Sequence, residues 1–287
     1  MKLRRLLLAF VGCLVLAGFV VRLWLLQVER HDEFRRLAAQ QQLRTVELTP
    51  PRGTIFDARG RKLAVSLEVE SLYATPARVV DPAAAAAVLA PMTGRQRSTL
   101  EGRLKEDRLF VWLARQLDPP TAEKVRALGL PGMSFVREYR RYYPQVETAG
   151  QVIGFAGRDH TGLEGLERGY EGVMAGAAAK RLVLRDANAG IVLSPRLSLA
   201  EPEPGHDVHL TLDSHVQYVL ERELAAAVER HQASRAMGVI LDPETSAVLA
   251  MATVPSFDPN SFQQSNGEVW KNRTVTDVFE PGSTFKL

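Results

Sequence analysis

A serine and a lysine near the end of the sequence have the types and the spacing of a catalytic pair. Ser283 stands three positions before Lys286, and the Pro-Gly pair ahead of them favours a tight turn into a helix. Residues three apart share one face of a helix, so the two side chains can touch. A serine hydroxyl is a weak nucleophile at its free pKa, but a neutral lysine amine can take its proton, and the helix N-terminus favours the developing oxyanion. The spacing predicts nucleophilic catalysis, although Ser-x-x-Lys alone also occurs by chance, as a helix cap and a surface charge.

Four blocks of sequence give that pair a context. The segment 271–286, KNRTVTDVFEPGSTFK, resembles the active-serine region of class B penicillin-binding proteins of the cell-division (septal) type, penicillin-binding protein 3. Residues 52–64, RGTIFDARGRKLA, resemble the signature that opens the domain preceding the catalytic one in that family. RRYYP at 140–144 and GLEGLE at 162–167 match two further landmarks in the expected order. The chain is therefore identified as a member of this family of peptidoglycan D,D-transpeptidases.

The resemblance implies a fold, a chemistry and a set of partners. The fold is expected to be α+β, with a single transmembrane helix, then an elongated α+β pedestal (dimerisation) domain, then the first part of a transpeptidase domain. Ser283 would attack the D-Ala-D-Ala carbonyl of a stem peptide with Lys286 as its general base. Expected partners are peptidoglycan stem peptides, β-lactams, a SEDS-type glycosyltransferase, other division proteins and the lipid bilayer. No organic cofactor and no metal is implied.

The opening signature is expected to serve folding rather than chemistry. Asp57 can bond the amides of a turn at Arg59-Gly60, and Gly60 is expected to take a positive φ there. Arg52 can pair with acidic neighbours, and Gly53 belongs to the same structural signature.

The N-terminal residues predict a membrane anchor. Residues 6–28 are apolar except for two glycines, one arginine and one glutamine, and their 23 positions would span a bilayer core of roughly 30 Å. Residues 1–5 contain three cationic and no acidic side chains, so they should stay cytoplasmic while the bulk of the chain is periplasmic. A single-pass protein of the inner (cytoplasmic) membrane is predicted; a cleaved signal peptide is the alternative, and the length of the stretch disfavours it. The only cysteine, Cys13, lies in this stretch, so no disulfide is expected.

Composition divides the rest of the chain into four segments. Residues 29–48 are rich in Arg, Gln and Glu and predict a helical juxtamembrane stalk, which ends at Pro50-Pro51. Residues 49–200 form the predicted pedestal, and residues 201–212 a Pro- and Glu-rich linker with a first strand. Residues 213–287 form the truncated transpeptidase domain.

That last segment opens on an amphipathic helix and a hairpin. The helix is predicted to be capped by Asp213 or Ser214 and to run to His231. Two apolar strands, 237–241 and 248–253, follow. Ser246 stands in their turn where relatives usually carry glycine, so backbone strain or a different turn type is expected there.

Other classes of function find less support. Lys plus Arg total 36 against 33 for Asp plus Glu, and no basic stripe with interleaved aromatics appears, so nucleic-acid binding is not expected. The six histidines lack the spacing of a metal site. Glu164 and Glu167 could form an acid/base pair as in glycosidases, but a helix-capping or salt-bridging role is favoured.

Three alternatives stay open beside the septal transpeptidase. The Ser-x-Asn and Lys-Thr-Gly motifs that the superfamily needs do not follow Ser283, so a fragment inactive by itself is expected. A non-catalytic membrane scaffold for a SEDS-type polymerase and division proteins is the alternative from another class. An elongation-type class B penicillin-binding protein is the nearest one, and the lead-in residues 277–280 favour the septal type. A β-lactam sensor or serine β-lactamase is disfavoured by the long pedestal.

Overall fold

The computed structural model of the chain describes residues 2–34, 43–185, 191–192 and 202–278, together with Glu280 and Gly282. Contacts group the chain into two compact units. The first comprises Met1–Glu47 and Lys180–Glu201, and the second comprises Leu48–Ala179 and Pro202–Leu287.

The first unit contains the N-terminal helix and a small sheet. Helix α1 (Lys2–Trp24) continues into a π-helical turn (Leu25–Glu29). The sheet has the order β1-β6-β7, from β1 (Leu43–Leu48), β6 (Ala179–Arg185) and β7 (Ile191–Val192). Among the residues that the structure describes, no helix combines the length and the apolar character needed to cross a bilayer. The anchor at 6–28 stays a prediction.

The predicted stalk helix is wrong over its last part. Residues 43–48, LRTVEL, form strand β1, and residues 35–42 lie outside the described chain. Thr45 and Val46 are β-branched and suit a strand, where a partner far along the chain supplies the hydrogen bonds. Loosely spaced leucines among charged residues are compatible with a helix and with a strand, so they did not distinguish the two.

The second unit begins with the sheet of the pedestal. Its strands are β2 (Ile55–Phe56), β3 (Lys62–Ala74), β4 (Val111–Leu117), β5 (Met133–Tyr142) and β8 (Val208–His209). The path runs β4-β3-β2-β8, and β5 pairs antiparallel with β3 from Val65↔Tyr142 to Ala74↔Met133. Strand β8 pairs parallel with β2, so the predicted boundary segment contributes to the pedestal sheet.

Three helices cover one end of this sheet. They are α2 (Pro82–Thr93), α3 (Arg97–Leu104) and α4 (Pro119–Ala127). Asp81 caps α2 by accepting from the amides of Ala83 and Ala84, and Asp118 caps α4 through Thr121 N. A first hydrophobic core forms between helices and sheet from Leu72, Ala74, Ala85, Ala86, Leu89, Leu100, Leu104, Val111, Leu113, Ala114, Leu117, Ala122 and Val125.

The start of the predicted transpeptidase domain has the elements that its pattern indicated. Helix α8 runs from Ser214 to His231 with Asp213 as its N-cap, and β9 (Ala236–Leu241) pairs antiparallel with β10 (Val248–Val254). Ser246 has a φ of +60°, so the turn keeps the conformation that glycine favours. Two 3-10 segments (Pro259–Gln264 and Gly267–Val269) and α9 (Arg273–Thr276) follow.

A second hydrophobic core joins the two predicted domains. Short helices α5 (Gly150–Ile153), α6 (Gly165–Gly169) and α7 (Glu171–Met174) lie on its pedestal side. Its buried residues come from both sides of the predicted boundary: Ile55, Leu63, Ala64, Tyr143, Ala149, Ile153, Phe155 and Met174 before it, and Leu212 and Phe257 at and beyond it. Phe155 stacks on Phe262 at 4.0 Å between ring centroids and meets Trp270 edge-on at 4.9 Å. The two domains therefore share one interior here.

The predicted linker is closely packed as well. Gly205 N donates to Pro51 O at 3.0 Å, and a Cβ at Gly205 would lie 1.7 Å from the carbonyl oxygen of Met174. Residues 202–212 thus pass against the pedestal rather than crossing open solvent.

Candidate active site and the network that supports it

Ser283 and Lys286 lie outside the described residues, so their pairing stays a prediction. The structure describes what leads up to them. Gly282 has a φ of +55°, a left-handed conformation that suits the tight turn expected ahead of the serine.

Strand β10 is fixed to helix α8 by one buried glutamine. Gln217 Oε1 accepts from Met251 N at 2.7 Å, and Gln217 Nε2 donates to Met251 O at 2.8 Å. Asn272 Nδ2 contacts Met251 Sδ at 3.1 Å just before α9 begins. One position of β10 thus holds both the helix behind it and the segment that leads towards Ser283.

A second buried glutamine joins the pedestal to the same region. Gln151, in α5, donates from Nε2 to the carbonyl oxygens of Thr253, Pro255 and Val269 at 3.3, 3.0 and 3.2 Å. Neither glutamine was predicted from the sequence. Gln217 lies on the stripe of Leu220 and Leu224, so a polar residue inside an apolar helix face was the available signal.

Asn260 fastens the first 3-10 segment to the pedestal. Its Oδ1 accepts from Tyr143 N at 2.9 Å and its Nδ2 donates to Tyr143 O at 3.0 Å. This side chain replaces a pair of strand hydrogen bonds at the point where β5 has ended. Nothing in the local pattern marked Asn260 for this role.

The three pedestal landmarks meet at one buried carboxylate. Glu167 is fully buried and accepts from Arg52 Nε at 3.0 Å and from Arg141 Nε at 2.6 Å. Arg52 also pairs with Glu171 at 2.7 Å and donates to the backbone oxygens of Glu167 and His160. Glu167 therefore has the salt-bridging role favoured from the sequence, and a glycosidase-like role finds no support.

The phenol of Tyr143 belongs to the same cluster. Tyr143 Oη accepts from Ala156 N at 2.8 Å and lies 3.5 Å from a carboxylate oxygen of Glu167. Burial raises the pKa of Tyr143, and the negative charge of Glu167 raises it further, so the phenol stays protonated. Its position is that of a packing and hydrogen-bonding residue.

Asp57 connects the opening signature to helix α8. Its buried carboxylate accepts from the amides of Arg59 and Arg61, from Arg61 Nε at 2.7 Å and from Ser214 Oγ at 2.8 Å. Burial by itself would raise the pKa of Asp57, but the hydrogen bonds from Ser214 and Arg61 outweigh it and hold the pKa well below its ordinary value. Arg59 and Arg61 also reach Asp213, the N-cap of α8, at 2.7 Å each. The signature thus positions the first helix of the next domain.

The two glycines of the signature are required for different structural reasons. Gly60 has a φ of +76° in the turn, with open space around the position of a Cβ. Gly53 has no such angle, but a Cβ there would lie 1.8 Å from the carbonyl oxygen of His206. Gly53 therefore permits the chain of the boundary segment to pass against the pedestal.

No group of three His, Cys, Asp or Glu side chains converges as a metal site requires in the part of the chain that the structure describes. The described contacts fix α8, the β9–β10 hairpin and the segments after it on the pedestal.

Two protein-family matches cover most of the chain. Residues 47–210 match the family described as penicillin-binding protein dimerisation domain, and residues 236–287 match the penicillin binding protein transpeptidase domain. The chain belongs to the penicillin-binding proteins that carry both domains.

Its curated relatives have more specific names. It is 37% identical over 276 residues to the probable peptidoglycan D,D-transpeptidase PenA of Neisseria meningitidis, covering 94% of this chain and 47% of the relative. It is 35% identical over 290 residues to the peptidoglycan D,D-transpeptidase FtsI of Escherichia coli, covering 96% of this chain and 48% of the relative. The chain thus spans about half the length of these relatives.

Solved structures agree on the fold. Penicillin binding protein 2X from Streptococcus thermophilus superimposes with a TM-score of 0.58 at 20% identity, covering 80% of this chain and 38% of that one. A peptidoglycan synthetase from Bifidobacterium adolescentis gives 0.58 at 24% identity, covering 84% and 49%. At these identities the likeness concerns the fold alone.

Proposed function

We propose that the protein to which this chain belongs is a septal peptidoglycan D,D-transpeptidase that works through an acyl-serine. The observation that carries this proposal is the transpeptidase match over residues 236–287, which contains Ser283 and Lys286 at the spacing of a nucleophile and its base. The names of the relatives, both D,D-transpeptidases, support it.

The proposed chemistry has two half-reactions at one serine. Ser283 Oγ attacks the carbonyl between the two terminal D-alanines of a stem peptide, and Lys286 Nζ takes the hydroxyl proton. The tetrahedral adduct collapses, the peptide bond breaks, and the last D-alanine leaves with that proton. An amine of a neighbouring stem peptide then attacks the ester and releases Ser283 as the cross-link forms. A β-lactam opens its ring at the same serine and stays attached.

The septal role rests on the sequence around the serine. The residues 277–280 before the Pro-Gly turn resemble the division type, and an elongation-type enzyme is the alternative within the family. Partners proposed on the same basis are a SEDS-type glycosyltransferase and other division proteins. A non-catalytic scaffold for these partners is the alternative from another class, because more of the chain matches the dimerisation domain than the transpeptidase domain.

The proposed location is the inner membrane, with the N-terminus cytoplasmic and the bulk periplasmic. The apolar composition of residues 6–28 and the cations before them support it. A reporter fused after Leu48 should be active only outside the cytoplasm, and cytoplasmic activity would contradict this topology.

Labelling with a fluorescent penicillin tests the chemistry. The 287-residue chain should form no stable adduct, because loss of one oxyanion-hole donor costs about 3–4 kcal/mol in comparable acyl-transfer enzymes. The same chain continued in frame with the remaining transpeptidase sequence of a relative should be labelled. In that longer protein Ser283→Ala should abolish the label, and Ser265→Ala, a matched serine in the preceding loop, should keep it.

Two results would oppose the proposal. Labelling that survives Ser283→Ala would remove the nucleophile assignment. An unlabelled longer protein that still recruits a SEDS-type polymerase would favour the scaffold instead.

A further inference from the structure

A cavity of about 350 Å³ lies between the end of strand β5 and the 3-10 segment Pro259–Gln264. We call it the arginine cavity, after the side chains of its pedestal wall: Arg115, Arg140, Arg141 and Arg158. Its opposite wall carries amide and hydroxyl groups of Asn260, Ser261, Gln263 and Gln264. All of these residues belong to the second compact unit.

The charges around this cavity are unequal. Among the described residues that line it, four are arginines and none is acidic. Arg115 is paired with Glu138 at 3.0 Å and with Asp159 at 2.9 Å. Within the described ranges, the structure gives neither Arg140 nor Arg158 a carboxylate partner. Arg140 acts on the exposed carboxylate of Asp118 only at longer range, so the cavity keeps an excess of positive charge and favours an anion.

One buried donor of the cavity lacks an acceptor. The side chain of Arg141 is 2% exposed; its Nε donates to Glu167 at 2.6 Å and its Nη1 to Ser66 Oγ at 3.3 Å. Its Nη2 is buried and has no hydrogen-bond partner in the described part of the chain. A buried charged donor without an acceptor is unfavourable. Because Nη2 is closed to solvent, Arg141 contributes its positive charge to the cavity wall rather than an exposed donor.

We propose that the arginine cavity binds a carboxylate of a peptidoglycan stem peptide, as a site separate from the serine. Guanidinium groups pair with carboxylates through two parallel hydrogen bonds. A cavity lined by arginines should therefore bind a carboxylate in preference to a neutral group. The amides of Gln263 and Gln264 suit the peptide groups next to that carboxylate. The volume is at the lower end for ligand pockets, which fits a peptide terminus. The choice of a stem peptide rests on the proposed function; the carboxylate chemistry does not.

The position of the cavity gives binding a consequence. Asn260 joins the two walls through its paired bonds to Tyr143, and the segment beyond it leads through α9 towards Ser283. A ligand held by Arg140 and Arg158 on one wall and by Gln263 or Gln264 on the other adds contacts between the same two walls. Binding should therefore slow amide exchange in residues 260–264.

Calorimetric titration of the purified 287-residue chain in detergent tests the site. The probes are a synthetic pentapeptide ending in D-Ala-D-Ala with free carboxylates, the same peptide with every carboxylate amidated, and inorganic phosphate. We expect the free pentapeptide to bind and the amidated one not to bind. Arg140→Gln and Arg158→Gln should each weaken binding by about tenfold or more, the range of a lost charge-assisted hydrogen bond.

Arg137→Gln is the matched control, because Arg137 lies on the same strand but does not line the cavity. It should leave the affinity unchanged. Equal binding of the free and amidated peptides would overturn the carboxylate assignment, as would an equal loss in Arg137→Gln. Phosphate binding tighter than that of the peptide would overturn the choice of a stem peptide, and no binding of any probe would overturn the site itself.

The test is independent of the serine chemistry. A failed penicillin label would leave the cavity result standing, and a failed titration would leave the acylation result standing.

Discussion

Glu167→Gln is the sharpest test of the network that joins the pedestal landmarks. Glu167 is fully buried, and Arg52 and Arg141, its partners, have side chains 0% and 2% exposed. The substitution keeps the shape of the side chain and removes one charge. Two arginines would then face only one carboxylate, that of Glu171, which is itself 36% exposed.

The magnitude follows from what the two arginines lose. A glutamine can accept from one guanidinium through its oxygen, but its amide group meets the other guanidinium as a second donor. Removing one partner from a buried ion pair costs about 3–5 kcal/mol, because a charge stays buried without compensation. Domain stabilities are about 5–15 kcal/mol, so the loss should be a large part of the whole.

Urea unfolding followed by tryptophan fluorescence measures the effect. Trp270 packs on Phe155 in the shared core and reports its loss. Glu164→Gln is the control: Glu164 lies three positions away, is partly exposed, and should change the free energy of unfolding by less than about 0.5 kcal/mol. An equal m-value in all variants is required for the comparison. Equal stability of Glu167→Gln and Glu164→Gln would show that the buried charge of Glu167 does not hold the two arginines.

Three further predictions concern the boundary between the domains. Asp57→Asn should lower the free energy of unfolding by about 1–3 kcal/mol at pH 7. Because the pKa of Asp57 is lowered in the folded state, its contribution is lost as the pH falls below about 4, so the deficit should shrink at pH 3; an unchanged deficit would exclude the charge as its cause. Glu221 of α8 accepts from Ala149 N at 2.8 Å across this boundary. Burial raises the pKa of its half-buried carboxyl, so the ionised form costs stability as the pH rises above about 4.3. Glu221→Gln should therefore gain thermal stability over the unmodified chain between pH 4 and pH 8, and parallel melting curves would contradict this. Gly60→Ala should lower the free energy of unfolding by about 1–2 kcal/mol because of its positive φ. Gly53→Ala should lower it more, because its Cβ would lie 1.8 Å from a backbone oxygen. Equal losses of stability in chemical denaturation would argue against this close approach.

Local periodicity predicted the elements that depend on it. The apolar stripe of α8 and the two short apolar runs of β9 and β10 were sufficient, because a helix face and a hairpin are set by residues close in sequence. The strand at residues 43–48 was not predictable in this way, because its partner β6 lies far along the chain. The resemblance grouped three landmarks without showing that they meet at Glu167.

The buried amides were missed for a related reason. Gln151 reaches carbonyl groups 102 to 118 residues away, and Asn260 reaches Tyr143 over 117 residues. In the sequence each is an ordinary polar residue in a loop or a short helix. Only the fold shows that it replaces backbone hydrogen bonds where two strands end. The close packing of the predicted linker was missed for the same reason, since composition does not report which interior a segment fills.

The shared core also determines how long part of the growing polypeptide stays exposed during synthesis. Tyr143 is made 117 residues before Asn260, which must pair with its backbone, and synthesis proceeds at roughly 5–20 residues per second. The pedestal residues of that core are therefore exposed for roughly 6 to 23 s before the residues that cover them have been synthesised. During that interval Phe155 lacks both Phe262 and Trp270, and its apolar face is open to any chaperone or neighbouring chain on the side where it emerges. In a gene fusion that exchanges domains at residues 201–212, Phe155 would stay uncovered unless the new domain supplies aromatic side chains equivalent to Phe262 and Trp270.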